Sequence, residues 1–279
     1  MDDFRPYFVE LDAPVQFPPR RVVSLVPALT ESLYDLGLSA RVSGVTDLCV
    51  RPPEIIGRVP TVGMPGQIDV ERVSALRPEL VIASADENDP QQLEALQAMG
   101  LPVWVTHPRS VRDMFNLLWN MMHVFDEGKY VERVRAIEWT CDWQERLSAQ
   151  REPRSVFVPL SLEPLRTCAA DTYVSDLLRI CGGASMVVPV AADAAGMDRL
   201  YPHVTWEQVA QAAPTVILLP VVDPDRYASD VAAAASAGIP EAFRPLVRMV
   251  DETTLTWAGT RIAHAFQVLP QLLGTGDIL

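Results

Sequence analysis

The chain predicts an α/β architecture of two similar lobes, each a mainly parallel sheet with helices on both faces, joined by one long helix. Three observations predict it. Short apolar, β-branched runs alternate with helical patterns, the order a parallel sheet requires. One phrase is written twice: IDVERVSALRPELVIAS at 68–84 and VTWEQVAQAAPTVILLP at 204–220 superimpose on a shift of 136 positions, Glu71 on Glu207, Val73 on Val209 and Pro78 on Pro214. Between the two series, residues 126–153 hold no glycine after Gly128 and no proline before Pro153. The expected boundaries are 1–125 for the N-terminal lobe, 126–152 for the connecting helix and 153–279 for the C-terminal lobe.

In the first lobe RVVSLV (21–26) reads as a buried strand. TESLYDLGL (30–38) reads as a helix with Thr30 as N-cap and Gly37 at its C-terminal end. VSGVT (42–46) is the next strand, followed by the helix and strand of the repeated phrase. DPQQLEALQAMG (89–100) is a helix opened by Asp-Pro and closed by glycine, and LPVWVTH (101–107) a strand. In the long segment, apolar residues at Val131, Val134, Ile137, Trp139 and Leu147 fall near helical spacing. A helix of about 20 residues spans on the order of 30 Å, a stiff tie between lobes. The second lobe repeats the order: RSVFVPL (154–160) as strand, TYVSDLLRICGG (172–183) as helix, the repeated phrase, LVRMVD (246–251) as strand and AGTRIAHAFQVLPQLLG (258–274) as closing helix.

Composition narrows the function. A chain of 279 residues suits two domains, and a hydrophobic fraction of 49% supplies a normal core. Net charge is −13 and Lys129 is the only lysine, so nucleic acid is excluded as a partner by phosphate repulsion. The four cysteines, Cys49, Cys141, Cys168 and Cys181, include no CxxC pair, which argues against a zinc site and a disulfide framework. They read as small buried hydrophobes. No run of 18 apolar residues exists to cross a membrane. The start, MDDFRPYFVELD, has neither the basic nor the apolar region of a signal peptide. No GxSxG, HExxH, P-loop or GxGxxG occurs, which counts against the common enzyme chemistries.

The duplicated glutamates carry the sharpest signal. Asp69 and Thr205 stand at N-cap positions, so Glu71 and Glu207 fall in the first helical turn, where the helix dipole favours an acid by roughly 0.3–1 kcal/mol. The apolar stripes Val70, Val73, Leu76 and Trp206, Val209, Ala213 turn toward the core and leave both carboxylates outside. Two matched carboxylates suit a two-fold partner carrying arginines.

Together RVVSLVPALTESLYDLGL, GVTDLCVRPPE, IDVERVSALRPELVIAS, DTYVSDLLRICGG and YPHVTWEQVAQAAPTVILLP resemble the helical-backbone (class III) periplasmic binding proteins. These are the substrate-binding proteins of ABC importers for vitamin B12, ferric siderophores and haem, and the likeness is greatest to the cobalamin-binding branch. The resemblance implies two Rossmann-like lobes, a binding rather than an enzymatic role, no prosthetic group and no resident metal, and a monomer. It implies a periplasmic or otherwise extracytoplasmic location; on the start of the chain alone the alternative is cytoplasmic. A glutamate on each lobe of that family docks to arginines of the permease dimer, a role that passes to Glu71 and Glu207. The ligand, a metal chelate such as a corrinoid, ferric siderophore or haem, lies between the lobes at the carboxyl ends of the strands.

Those strand ends here are VPALT (26–30), TDLCVRPP (46–53), SADENDP (84–90), THPRS (106–110), SLEPLRTCAAD (161–171) and TLTWAG (254–259). They nominate Pro27, Asp47, Cys49, Asp86, Glu87, Asn88, His107, Pro164 and Trp257 as ligand contacts. Trp257 is a ring able to stack on a macrocycle, weighed against ordinary packing. Asp86, Glu87 and Asn88 form a polar tip able to accept hydrogen bonds, weighed against a solvated turn. Cys49 and His107 would ligate a metal only by meeting at the mouth. His203 and His264 stand isolated. Where the cobalamin-binding branch often has an aromatic residue, this chain has Leu48. An anionic ferric siderophore would need several arginines, and the loops offer Arg51, Arg109 and Arg166. The alternatives to an importer's binding protein are a leaderless intracellular binder of tetrapyrroles or metal chelates, and a chelatase-like enzyme, which would need a histidine and carboxylates converging to take pyrrole protons.

Overall fold

The computed structural model describes residues 18–186 and 196–274; the opening stretch read for a signal peptide lies outside them. The chain divides into two compact units. Unit 1 takes Met1–Pro108, Arg112–Ala136 and Ala258–Arg261, and unit 2 takes Arg109–Val111, Ile137–Trp257 and Ile262–Leu279.

In unit 1, β1 (Val22–Ser24) leads to α1 (Pro27–Asp35) and β2 (Val42–Val45). A small hairpin, β3 (Gly63–Met64) and β4 (Gln67–Ile68), precedes α2 (Val70–Ala75), β5 (Leu80–Ser84), α3 (Pro90–Ala98) and β6 (Val103–Thr106). The sheet runs β2-β1-β5-β6 and every pair is parallel. All five residues of β5 are buried, as a strand covered on both faces requires. Val23, Val73, Val81 and Leu96 are among the side chains that close this core, with Val70 and Leu76 packed at its edge.

Two helices follow, α4 (Val111–Val124) and α5 (Val131–Ser148), and the division between units falls inside α5, after Ala136. The 18-residue α5 occupies the segment read as a connecting helix. Its buried face is Val134, Ile137 and Cys141, whereas Trp139 is 68% exposed. The expected stripe is thus corrected at Trp139. Two residues beyond Ile137, at about 100° each, place it on the opposite side of the helix.

Unit 2 repeats the plan: β7 (Arg154–Phe157), a hairpin of β8 (Ser161–Leu162) and β9 (Leu165–Arg166), α6 (Tyr173–Ile180), β10 (Gly183–Ser185), α7 (Gly196–Leu200), α8 (Trp206–Ala212), β11 (Val216–Val221), α9 (Asp230–Ser236), β12 (Val247–Asp251), α10 (Glu252–Thr256) and α11 (Ile262–Leu272). Its parallel sheet runs β10-β7-β11-β12. In each unit the second strand lies outside the first, with the third and fourth on the other side. That shared order, with α2 and α8 opening 136 positions apart, is the structural form of the repeated phrase. Phe157, Trp206 and Phe243 stack in this core, Trp206 edge-on to Phe157 at 5.8 Å.

Several boundaries differ from expectation. The first helix starts at Pro27, with Val26 as N-cap, because proline at the first helical position lacks only an N–H that would be unpaired there anyway. Thr30 is therefore buried inside α1, its hydroxyl 3.1 Å from the Val26 carbonyl. Gly37 does stand at the helix end, at φ 73°. Gly183 opens β10 instead of closing α6, and α11 starts at Ile262, so Ala258–Arg261 is loop. Among the described residues no helix is long and apolar enough to cross a membrane.

Candidate functional site

In a doubly wound sheet the loops at the carboxyl ends diverge where the strand order reverses, leaving a crevice for ligand. In unit 1 that point lies between β1 and β5, and in unit 2 between β7 and β11. Four of the predicted loops leave the strands that flank these points or their neighbours in unit 1, and each unit builds its strand end differently.

In unit 1, Pro27 is buried where α1 begins. Cys49 is buried as well, its sulfur 3.2 Å from the hydroxyls of both Thr30 and Thr46. Burial pushes its thiol pKa up, so the protonated form is favoured. Cys49 thus locks the 46–50 loop to α1, and a metal-ligating partnership with His107 does not form. His107 instead faces Asp86, Nδ1 to Oδ1 at 3.2 Å, bringing together two predicted site residues from the ends of β6 and β5. No cluster of three or more histidine, cysteine or acidic side chains able to hold a metal occurs among the described residues.

Asn88 was expected to face outward as an acceptor. It is buried: its side-chain oxygen accepts from the Ser84 N–H at 2.8 Å and its amide donates to the Pro65 carbonyl at 2.7 Å. The oxygen anchors the 85–89 turn to the end of β5 and the amide ties it to the β3–β4 hairpin, which corrects that expectation. Glu87 next to it is exposed. Although solvent reaches it, the protein packed around it and, secondarily, the Asp86 carboxylate push its carboxyl up to about 7. Asp47 is exposed beyond β2, its N–H held by the Gly63 carbonyl at 2.9 Å.

Sequence reasoning passed over Met64 and Val50, which are exposed alongside Leu48. The signal that would have found Met64 is the Pro65-Gly66 pair, a turn dipeptide that makes its strand a hairpin.

In unit 2, Pro164 is exposed at the tip of the β8–β9 hairpin. Behind it Arg166 reaches Asp198 at 2.9 Å and the Tyr201 carbonyl at 3.0 Å. Arg109 reaches the Asp171 carboxylate at 2.8 Å, which Arg199 also contacts at 3.3 Å. Trp257 follows α10, half-buried, its carbonyl 3.5 Å from the buried Tyr173 hydroxyl.

The two duplicated glutamates stand in the first turn of α2 and of α8. Asp69 caps α2 by accepting from the Arg72 N–H at 2.9 Å, and Thr205 caps α8 in a capping box with Gln208. Glu71 and Glu207 are each the second helical residue, both exposed, with Val73 and Val209 fully buried on the opposite side. A hydrogen bond from Thr205 lowers the Glu207 carboxyl below its ordinary value. Both caps stand where the sequence put them, and so do the stripes at Val73 and Val209, but Ala213 is exposed, because the chain turns left-handed there and leaves the helix.

Known proteins share this plan. The vitamin B12-binding protein of Vibrio parahaemolyticus is 29% identical over 206 residues, covering 72% of this chain and 70% of that one. The vitamin B12-binding protein of Yersinia pestis is 28% identical over 262 residues, covering 91% and 86%. Among solved structures, the periplasmic vitamin B12 binding protein BtuF of Vibrio cholerae superposes with a TM-score of 0.76 at 22% identity, over 93% of this chain and 98% of that one. The periplasmic heme binding protein HutB of Vibrio cholerae superposes at 0.71 and 17% identity, over 91% and 98%. These likenesses agree with the fold derived above. The family described as "Periplasmic binding protein" matches residues 22–222, a span that begins at β1 and runs just past β11, and the chain belongs to that family.

Proposed function

We propose that this chain is the substrate-binding protein of an ABC importer, working outside the cytoplasmic membrane. It takes a metal-chelate ligand, corrinoid-like, ferric siderophore or haem, at the strand-end loops and passes it to a permease dimer that it engages through Glu71 and Glu207. The observation that carries the reading is the pair itself: two exposed carboxylates at the same helical position of α2 and α8, in units of the same strand order. An acid at the second helical residue is favoured by the dipole alone. The repeat of its exposure in both units is what suits a partner with two equivalent sets of arginines.

The ligand contacts we propose are Asp47, Asp86, Glu87 and His107 from unit 1 and Pro164 and Trp257 from unit 2. Pro27, Cys49 and Asn88 shape the loops from beneath. The names of the relatives, which bind vitamin B12 or heme, support the ligand class. The test is titration of the purified chain with cyanocobalamin, haemin and ferric siderophores, followed by visible spectrum and melting temperature. Saturable binding of one of them with a raised melting temperature is expected. Absence of binding to all of them sinks the reading, and turnover of a porphyrin with free metal would replace it with an enzyme.

A further inference from the structure

Three segments of unit 1 meet at its strand ends. The Asp47 N–H donates to the Gly63 carbonyl, joining the 46–50 loop to the β3–β4 hairpin. The Asn88 amide donates to the Pro65 carbonyl, joining the 85–89 turn to the same hairpin. On these linked segments the large apolar side chains Leu48, Val50 and Met64 are 47%, 49% and 45% exposed. Asp47 and Glu87 are exposed beside them, and Asp86 is half-buried against His107. An apolar surface of this kind, bordered by polar groups, gains from being covered. Its border consists of carboxylates, which when ionised accept hydrogen bonds and donate none.

A ligand with its own carboxylates or catecholates needs arginines, and in unit 1 Arg51 already stands in the field of the Glu31 carboxylate. An anionic ligand over this surface would lie against Asp47, Asp86 and Glu87, and like charges brought together in that way are unfavourable.

Resting on the proposed function, we infer that the cargo is a metal chelate with no exposed anionic group: uncharged or cationic, with one apolar face over Leu48, Val50 and Met64 and with amide or other N–H donors turned to the acidic border. The Asp86 carboxylate acts as a charge filter as well as an acceptor, and Glu87 joins it as pH rises above about 7.

The full chain is titrated by calorimetry with four chelates: dicyanocobinamide, which is uncharged and amide-rich; ferrioxamine B, which is cationic; haemin, with two propionates; and a trianionic ferric tris-catecholate. One of the first two is expected to bind at least about 100-fold more tightly than either of the last two. Equal or tighter binding of haemin or the tris-catecholate overturns the inference while leaving the proposed function standing. Binding of none overturns both. The Asp86→Asn, Glu87→Gln double variant is expected to narrow the ratio between uncharged and anionic chelates by about 10-fold. An unchanged ratio, in a variant that still binds, removes these two acids from the filter and overturns their assigned role.

Discussion

Arg77 and Ala213, 136 positions apart, share the same left-handed backbone, φ 48° and 46°, each just before the proline of the repeated phrase. Neither is glycine, so each carries the steric cost that an L side chain meets there, roughly 1 kcal/mol. The repetition is therefore conformational as well as sequential: helix, left-handed residue, proline, buried strand, once in each unit. Ala213→Gly is expected to stabilise the fold by about 0.5–1 kcal/mol in a denaturant melt. Ala210→Gly, inside α8, is expected to cost about 1 kcal/mol. Destabilisation of similar size in both would show that position 213 is not strained.

Glu71 and Glu207 are assigned to permease docking. Reversal of both to arginine is expected to leave ligand affinity within about 2-fold, to lower the melting temperature slightly through the helix dipole, and to abolish uptake by the reconstituted importer. Strong loss of ligand binding on either single reversal would move that residue into the ligand site.

Trp257→Ala is expected to weaken ligand binding by about 1–3 kcal/mol, the usual scale for losing an aromatic anchor. Calorimetry on the folded variant reads the change directly. Unchanged affinity would confine Trp257 to packing near Tyr173.

Glu31 and Arg261 form an ion pair within unit 1 at 3.1 Å, with side chains only 14% and 12% exposed. Glu31 Oε2 is buried without a hydrogen-bond partner among the described residues. Burial raises the Glu31 pKa, opposed chiefly by Arg261. Arg261→Met is expected to cost about 3 kcal/mol at pH 8, by leaving a buried carboxylate uncompensated, and less at pH 5, where Glu31 protonates more readily. Adding Glu31→Gln is expected to recover more than half of the loss. A loss independent of pH would show that packing, not charge, dominates.

Glu87 adds a pH dependence of the same cause, desolvation of a carboxyl, but without an arginine to oppose it. A carboxyl raised on folding from 4.5 to about 7 favours the native state fully below pH 4.5, and that advantage drains away as pH climbs through about 7. Because solvent reaches the side chain, the loss is discounted to about 1 kcal/mol. Glu87→Gln should flatten the melting-temperature profile across that window and make the variant relatively more stable at pH 8. A slope identical to that of the parent chain would assign the dependence to another group.

Much of this was written along the chain. Alternating patterns, the offset phrase and the caps Asp69 and Thr205 specified two parallel α/β units, because period and capping chemistry are local. The exposure of Glu71 and Glu207 followed from the same periodicity, since a buried Val73 or Val209 leaves its neighbour two residues earlier outside. Tertiary structure alone decided which strand-end groups face solvent. Asn88 and Cys49 read as polar candidates, yet the carbonyl of Pro65 and the hydroxyls of Thr30 and Thr46, brought close only by folding, absorb them. Arg109 and Arg166 read as cations that the loops could offer to an anionic ligand, and the fold pairs them with Asp171 and Asp198 from distant segments. A hydrogen-bonding side chain is spent on whichever partner the fold delivers, and contacts across tens of residues leave no period in the sequence to announce them.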